Sequence, residues 1–172
     1  MISFQNDILP LKNELFRLAL RITQNREDAE DVVQETMMKV WNRRAEWSQI
    51  ASIEAFCLTI CRNIALDKLR RMDNQTTSLD TMESSPMGEA PTQGFSTSTN
   101  PESITVSRDR IQLVRRLIDL LPEKQRSCIQ LRDIEGKSYR DIATILDITE
   151  QQVKVNIFRA RQAIKEKFQK II

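Results

Sequence analysis

The sequence predicts an all-α protein: two small helical domains, residues 1–71 and 108–172, joined by a flexible acidic linker over residues 72–107, with a helix-turn-helix in the second domain. Three observations carry this reading. Gly occurs only 3 times in 172 residues and the β-branched runs are short, which disfavours sheets. Apolar residues recur every third or fourth position on both sides of the centre, the period of a helix with one buried face. Residues 72–107 differ from the rest: they hold Pro86, Pro91 and Pro101, fourteen Ser/Thr, five acidic residues and no Lys or Arg. Such a stretch has too little apolar surface to offset the entropy of ordering it.

In the first block, Leu11, Leu15, Leu18 and Ile22 follow the i, i+4, i+7, i+11 pattern of one helix face. Asn25 reads as the N-cap of a second helix. Glu27, Asp28, Glu30 and Asp31 crowd its first turns, where negative charge suits the helix dipole. Ala29, Val32, Val33, Thr36, Met37 and Val40 form its inner side, and Arg43 and Arg44 close it. A third helix starts after Ser52, packs Ile53, Phe56, Cys57, Ile60 and Ile64, and ends in Lys68, Leu69, Arg70 and Arg71.

The second block opens with a stripe of Ile111, Val114, Leu117, Ile118 and Leu121. Pro122 suits the first position of the next helix, and Gly136 suits a helix stop. Ser138 with Asp141, and Thr149 with Gln152, have the spacing of capping boxes, separated by the short turn Asp147–Ile148. Two capped helices joined by a tight turn form a helix-turn-helix, although a plain helical hairpin would share this pattern. On the last helix Val153, Ile157, Ala160, Ile164 and Phe168 share one face, which is expected to be core.

Three outward faces carry candidate function. Opposite the core of the last helix stand Gln151, Val155, Phe158 and Arg159, with Gln152 and Lys154 beside them. Gln and Arg read base edges, and apolar groups touch thymine methyls. The second helix turns Asp31, Gln34, Glu35, Met38 and Asn42 outward, and a methionine among acids suits an adaptable protein-binding surface. The third turns Thr59, Arg62, Asn63, Leu66 and Arg70 away from its core, groups suited to phosphate or bases.

Composition excludes several classes. With no histidine the chain lacks the commonest general base and every triad built on it. Cys57, Cys61 and Cys128 are odd in number and fit reduced core thiols; a metal site would need further ligands. No apolar run approaches the roughly 18 residues of a membrane span, and Met1 to Pro10 lacks the features of a secretion signal, so the expected compartment is the cytoplasm. No cofactor and no small-molecule substrate are expected. Charge is uneven: residues 108–172 carry 15 Lys/Arg against 9 Asp/Glu, whereas residues 1–71 carry 11 against 10. A basic C-terminal block fits nucleic-acid contact.

Together the motifs resemble the extracytoplasmic-function sigma factors, non-enzymatic subunits of bacterial RNA polymerase. The run Asp28-Ala-Glu-Asp-Val-Val-Gln-Glu-Thr-Met-Met-Lys-Val-Trp41 looks like region 2.2, and Ser52 to Arg71 is similar to regions 2.3 and 2.4. Leu121-Pro-Glu-Lys-Gln-Arg126, Ser138-Tyr-Arg-Asp-Ile-Ala143 and Val153-Lys-Val-Asn-Ile-Phe-Arg-Ala-Arg161 look like region 4. The resemblance implies core RNA polymerase as a partner, with Asp31, Gln34, Glu35 and Met38 meeting the β′ clamp helices and a further contact to the β flap. It implies promoter DNA as another, with Arg62, Asn63, Arg70 and Arg71 at the −10 element. Gln151, Gln152, Lys154, Val155, Phe158 and Arg159 are assigned to the −35 element. It also allows an anti-sigma factor. The chain departs from the family at Asp147, where Gly is frequent, and at Val155–Asn156, where Ser-Arg is frequent. A stand-alone helix-turn-helix regulator is the competing reading; it leaves the first block's resemblance unexplained.

Overall fold

The computed structural model describes the backbone of residues 1–78 and 101–171 and the side chains of residues 1–74 and 107–171. Every regular element among them is helical. A π-helical turn, Phe4–Ile8, and a 3-10 turn, Leu9–Leu11, lead into α1 (Lys12–Thr23). Gln24 ends α1 in the left-handed conformation at φ +56°, its N–H donating to the Leu20 carbonyl. Asn25 then caps α2 (Arg26–Asn42): its side chain accepts from the Asp28 N–H at 3.0 Å. Ser52 accepts from the Ala55 N–H at 3.2 Å at the start of α3 (Ile53–Ser78). The three helices bury Leu15, Leu18 and Ile22, Val32, Val33 and Val40, and Cys57, Leu58 and Ile64 against one another. Between α2 and α3, the 3-10 turn Arg44–Gln49 brings Trp47 inward, where its indole N–H donates to the Val40 carbonyl at 3.0 Å.

The second block comprises α4 (Pro101–Asp119), α5 (Glu123–Ile129), a π-helical turn (Gln130–Ile134), α6 (Tyr139–Leu146) and α7 (Glu150–Ile171). Gly136 follows the π turn at φ +72°, where a side chain would strain the backbone. The turn between α6 and α7 depends on Asp147 at φ +54°, a conformation Asp tolerates better than most residues. Thr149 and Gln152 form a reciprocal capping box: the Gln152 side chain accepts from the Thr149 N–H at 2.9 Å, and the Thr149 hydroxyl accepts from the Gln152 N–H at 3.1 Å. Ser138 caps α6 by accepting from the Asp141 N–H at 3.1 Å.

Several expectations need correction. Helix α3 continues to Ser78 and α4 begins at Pro101, so both ends of the segment read as linker are helical; residues 79–100 lie outside the described residues. Backbone hydrogen bonding propagates a helix once formed, even without an apolar face. Pro122 occupies the N-cap of α5, one place before the first helical position. Ile111 is exposed and Val114, Ile164 and Phe168 are half-buried, because α4 and the end of α7 diverge and leave a groove between them.

The two blocks pack on each other. Buried apolar residues of both belong to one continuous core, and several polar side chains cross the seam, among them the following. Arg17 donates twice to Glu135, at 2.5 and 2.8 Å, while Arg21 donates to Gln130 and Asp119, both at 2.9 Å. The Lys137 ammonium lies between Glu14, at 2.6 Å, and Glu54. Arg62 reaches Glu123 at 3.3 Å and the Leu146 carbonyl at 3.4 Å. Gln130, fully buried, accepts from Arg21 and donates to Glu135, linking the first pairs into one network.

Candidate nucleic-acid interface

Helix α7 divides into two faces. Val153, Ile157 and Ala160 are buried, held down by α5 and α6. The outward face keeps Gln151, Gln152, Lys154, Val155, Phe158 and Arg159 exposed. Phe158 is 67% exposed, so no neighbouring helix covers it. A large apolar ring held in water on a regular helix, flanked by Gln and Arg, is a surface built for something other than the chain's own core. The capping box at Thr149–Gln152 fixes where the helix starts, which orients this face. Lys154 lies 5.6 Å from the centre of the Tyr139 ring, which braces its ammonium at the edge of the face.

On α2, Asp31, Gln34, Glu35 and Met38 are exposed as expected, Met38 by 66%. Their charges are partly engaged: Lys68 of α3 pairs with Asp31 at 3.1 Å and Lys39 with Glu35 at 3.8 Å. Trp41, half-exposed, continues the apolar patch. It packs edge-on against Phe4 and Trp47 at 5.5 and 6.1 Å, under the Arg44 guanidinium at 4.7 Å. This aromatic cluster was missed in the sequence, although Trp41 and Trp47 stand six residues apart and flank a helix end.

Helix α3 is the mixed case. Asn63, Arg70 and Arg71 are exposed. Arg62 is only 7% exposed, covered by the second block rather than turned to solvent. It does face away from the first block's core, as its helical position dictates, but α5 and α6 fold over it. A cavity of about 390 Å³ between α2 and α3, lined by Glu35, Lys68, Arg71 and Met72, adjoins both the acidic face and the basic end of α3.

A further feature went unread in the sequence. Ile111, Val114, Ile118, Ile129, Ile134 and Phe168 line an apolar groove of about 740 Å³ between α4, the π turn and α7. Its rim carries Arg110, Arg115, Arg161 and Lys165 with one acid, Asp133, which pairs with Arg161 at 2.5 Å. Burial pushes all three thiols up to about 12, consistent with reduced core cysteines. Among the described residues no cluster of His, Cys, Asp or Glu is placed to hold a metal, and no helix is long and apolar enough to cross a membrane.

Comparison with known proteins fits this geometry. Residues 8–75 match sigma-70 region 2 and residues 111–164 match sigma-70 region 4. The chain is 32% identical over 145 residues to the ECF RNA polymerase sigma-E factor of Escherichia coli K12, covering 84% of this chain and 76% of that protein. It is 31% identical over 156 residues to the ECF sigma factor SigE of Mycolicibacterium smegmatis, covering 90% and 57%. Among solved structures, the sigma factor RpoE in complex with the anti-sigma factor NepR from Bartonella quintana superposes with a TM-score of 0.74 at 24% identity, over 96% of both chains. CnrH in complex with the cytosolic domain of CnrY superposes at 0.64 and 19% identity, over 96% and 87%. These two likenesses extend across both blocks and concern the fold. A stand-alone regulator would not carry the region 2 match, so the chain belongs to the extracytoplasmic-function sigma factors and directs promoter-specific initiation by RNA polymerase.

Proposed function

We propose that this chain divides its work among the faces described above. The acidic face of α2, with Asp31, Gln34, Glu35 and Met38, docks on the β′ clamp helices of core polymerase, and the apolar groove with its basic rim receives the β flap. Asn63, Arg62, Arg70 and Arg71 serve the −10 element. Gln151, Gln152, Lys154, Val155, Phe158 and Arg159 serve the −35 element through the major groove. The chain contributes selection and polymerase supplies the chemistry, in the cytoplasm and without a cofactor. An anti-sigma factor is a further partner, a reading supported by the similar RpoE structure, which holds the anti-sigma factor NepR.

The observation that carries this reading is the exposure of Phe158 among Gln151, Val155 and Arg159 on the second helix of a helix-turn-helix. Such a helix enters the major groove, and these residue types read base edges and thymine methyls. The test is selection of −35 variants by polymerase carrying the wild-type chain, Arg159→Ala or Lys154→Ala at two salt concentrations. Losing a base contact relaxes preference at one position by about 1–3 kcal/mol; losing a phosphate contact weakens all sequences alike and lowers the salt slope by about 1. Variants matching wild type in affinity, preference and slope would falsify the assignment of this face.

A further inference from the structure

Gln152 is the third residue of α7, and its two amide ends have different surroundings. The side-chain oxygen accepts from the Thr149 N–H at 2.9 Å, which closes the capping box. A backbone N–H only donates, so this bond fixes which end of the amide faces the helix start. The NH2 end is left over. Gln152 is exposed, and among the described residues nothing accepts from that NH2. Asn156, one turn on, is turned the other way: its own NH2 donates to the Gln152 backbone carbonyl at 2.8 Å. Gln151 is exposed too but takes no part in the cap, so both ends of its amide are free to turn.

The N-terminal part of a recognition helix is the part that reaches base edges. There the usual glutamine contact to adenine is bidentate, the oxygen accepting from N6 while the NH2 donates to N7. The two ends of a planar amide diverge, so an oxygen held on Thr149 cannot lie beside its NH2 on one base edge. Gln152 therefore offers a donor without an acceptor. In the major groove guanine presents two acceptors, N7 and O6. Adenine sets an amine donor beside its one acceptor, and cytosine presents only an amine. A lone donor thus favours guanine, leaves the adenine amine unanswered, and rejects cytosine, because a polar group without a partner is costly.

We infer that Gln152 determines specificity at one position of the −35 element as a donor of fixed polarity, selecting guanine against adenine and cytosine; this rests on the assignment of α7 to that element. The capping box sets the polarity, so one side chain both starts the helix and reads a base. Gln152→Glu separates the two roles. A carboxylate accepts the same Thr149 N–H, Glu is the regular third residue of a capping box, and its charge suits a helix start. The cap is kept while the outward donor becomes an acceptor, the group that meets the cytosine amine.

The experiment selects −35 sequences from a randomised pool with core polymerase carrying the full chain, as wild type, Gln152→Glu, Gln152→Leu, Arg159→Ala or Lys154→Ala. Thermal unfolding of each free chain is measured alongside. Wild type should enrich guanine over adenine and cytosine at one position by about ten-fold. Gln152→Glu should turn that position to cytosine and leave the other positions and the unfolding midpoint unchanged. Its added charge weakens all sequences alike and does not move the ratio. Gln152→Leu should lose discrimination there without turning to cytosine, and should unfold earlier because the cap acceptor is gone. Wild-type preference at every position in Gln152→Glu, while Arg159→Ala or Lys154→Ala alters binding, overturns Gln152 as a reader and leaves α7 on DNA. A Gln152-dependent position that favours adenine overturns the fixed polarity. So does a Gln152→Glu chain that unfolds as early as Gln152→Leu, since the cap would then not hold this side chain. No effect from any of the four variants overturns the assignment of α7 itself, and the role of Gln152 with it.

Discussion

Helices α3 and α7 carry the same kinds of outward residue, amides and guanidinium groups, yet they differ in what covers them. On α7, Gln151, Val155, Phe158 and Arg159 all stand in solvent. On α3, Asn63 and Arg70 are exposed while Arg62, beside them on the helix surface, is enclosed by Glu123 and the Leu146 carbonyl. A helix's own periodicity decides which side chains leave its local core. What those side chains then meet is decided by segments far away in sequence. The same kind of outward residue stands in solvent on one helix and makes a domain contact on the other.

The sharpest way to test this contrast is within α7. Ile157→Ala should cost about 2–5 kcal/mol of stability, the range for emptying a fully packed position. Its neighbour Phe158→Ala should stay within about 0.5 kcal/mol, since an exposed ring loses few contacts, while weakening −35 binding. Urea denaturation and a DNA-binding titration of the two variants separate these effects. Equal destabilisation would mean that Phe158 packs inward and that α7 has no free face.

Thr149→Ala comes next. It removes the acceptor for the Gln152 N–H and should cost about 1–2 kcal/mol, the worth of a good N-cap. It should also blur −35 selectivity, because the start of α7 is then less firmly set. Loss of stability with unchanged selectivity would show that the turn at Asp147 orients the helix unaided.

The smallest effect is expected on α3. Arg62→Ala should change stability by less than about 1 kcal/mol, since its bonds are long and Glu123 keeps a 2.8 Å bond from the Ser127 hydroxyl. Arg70→Ala should stay within about 0.5 kcal/mol. Both should slow promoter opening on duplex templates more than on templates already mismatched at the −10 element. A cost of several kcal/mol for Arg62→Ala would make it a structural ion pair rather than a captive DNA contact.

Much of the architecture was legible because it is written locally. Asn25, Ser138 and the Thr149–Gln152 pair cap their helices through side chains three residues from their partners, and Val153, Ile157 and Ala160 are buried at the spacing that a helix imposes. The exposure of Met38 and Phe158 followed from the same periodicity. The seam was not legible. Arg17 and Glu135 lie 118 residues apart, and Lys137 and Glu54 lie 83 apart; each alone resembles an ordinary solvated charge. The groove beside α4 was hidden for a related reason. Its isoleucines read as core, and only the divergence of α4 from the end of α7 leaves Ile111 and Ile134 uncovered.

The three cysteines bear on what could govern this factor. Cys57, Cys61 and Cys128 are free, buried and pushed up to about 12 by desolvation. Burial disfavours the thiolate, and only the thiolate attacks peroxides or disulfides. Burial and the raised pKa both slow attack by these thiols in the folded chain. Alkylation of these buried thiols becomes a clock for unfolding.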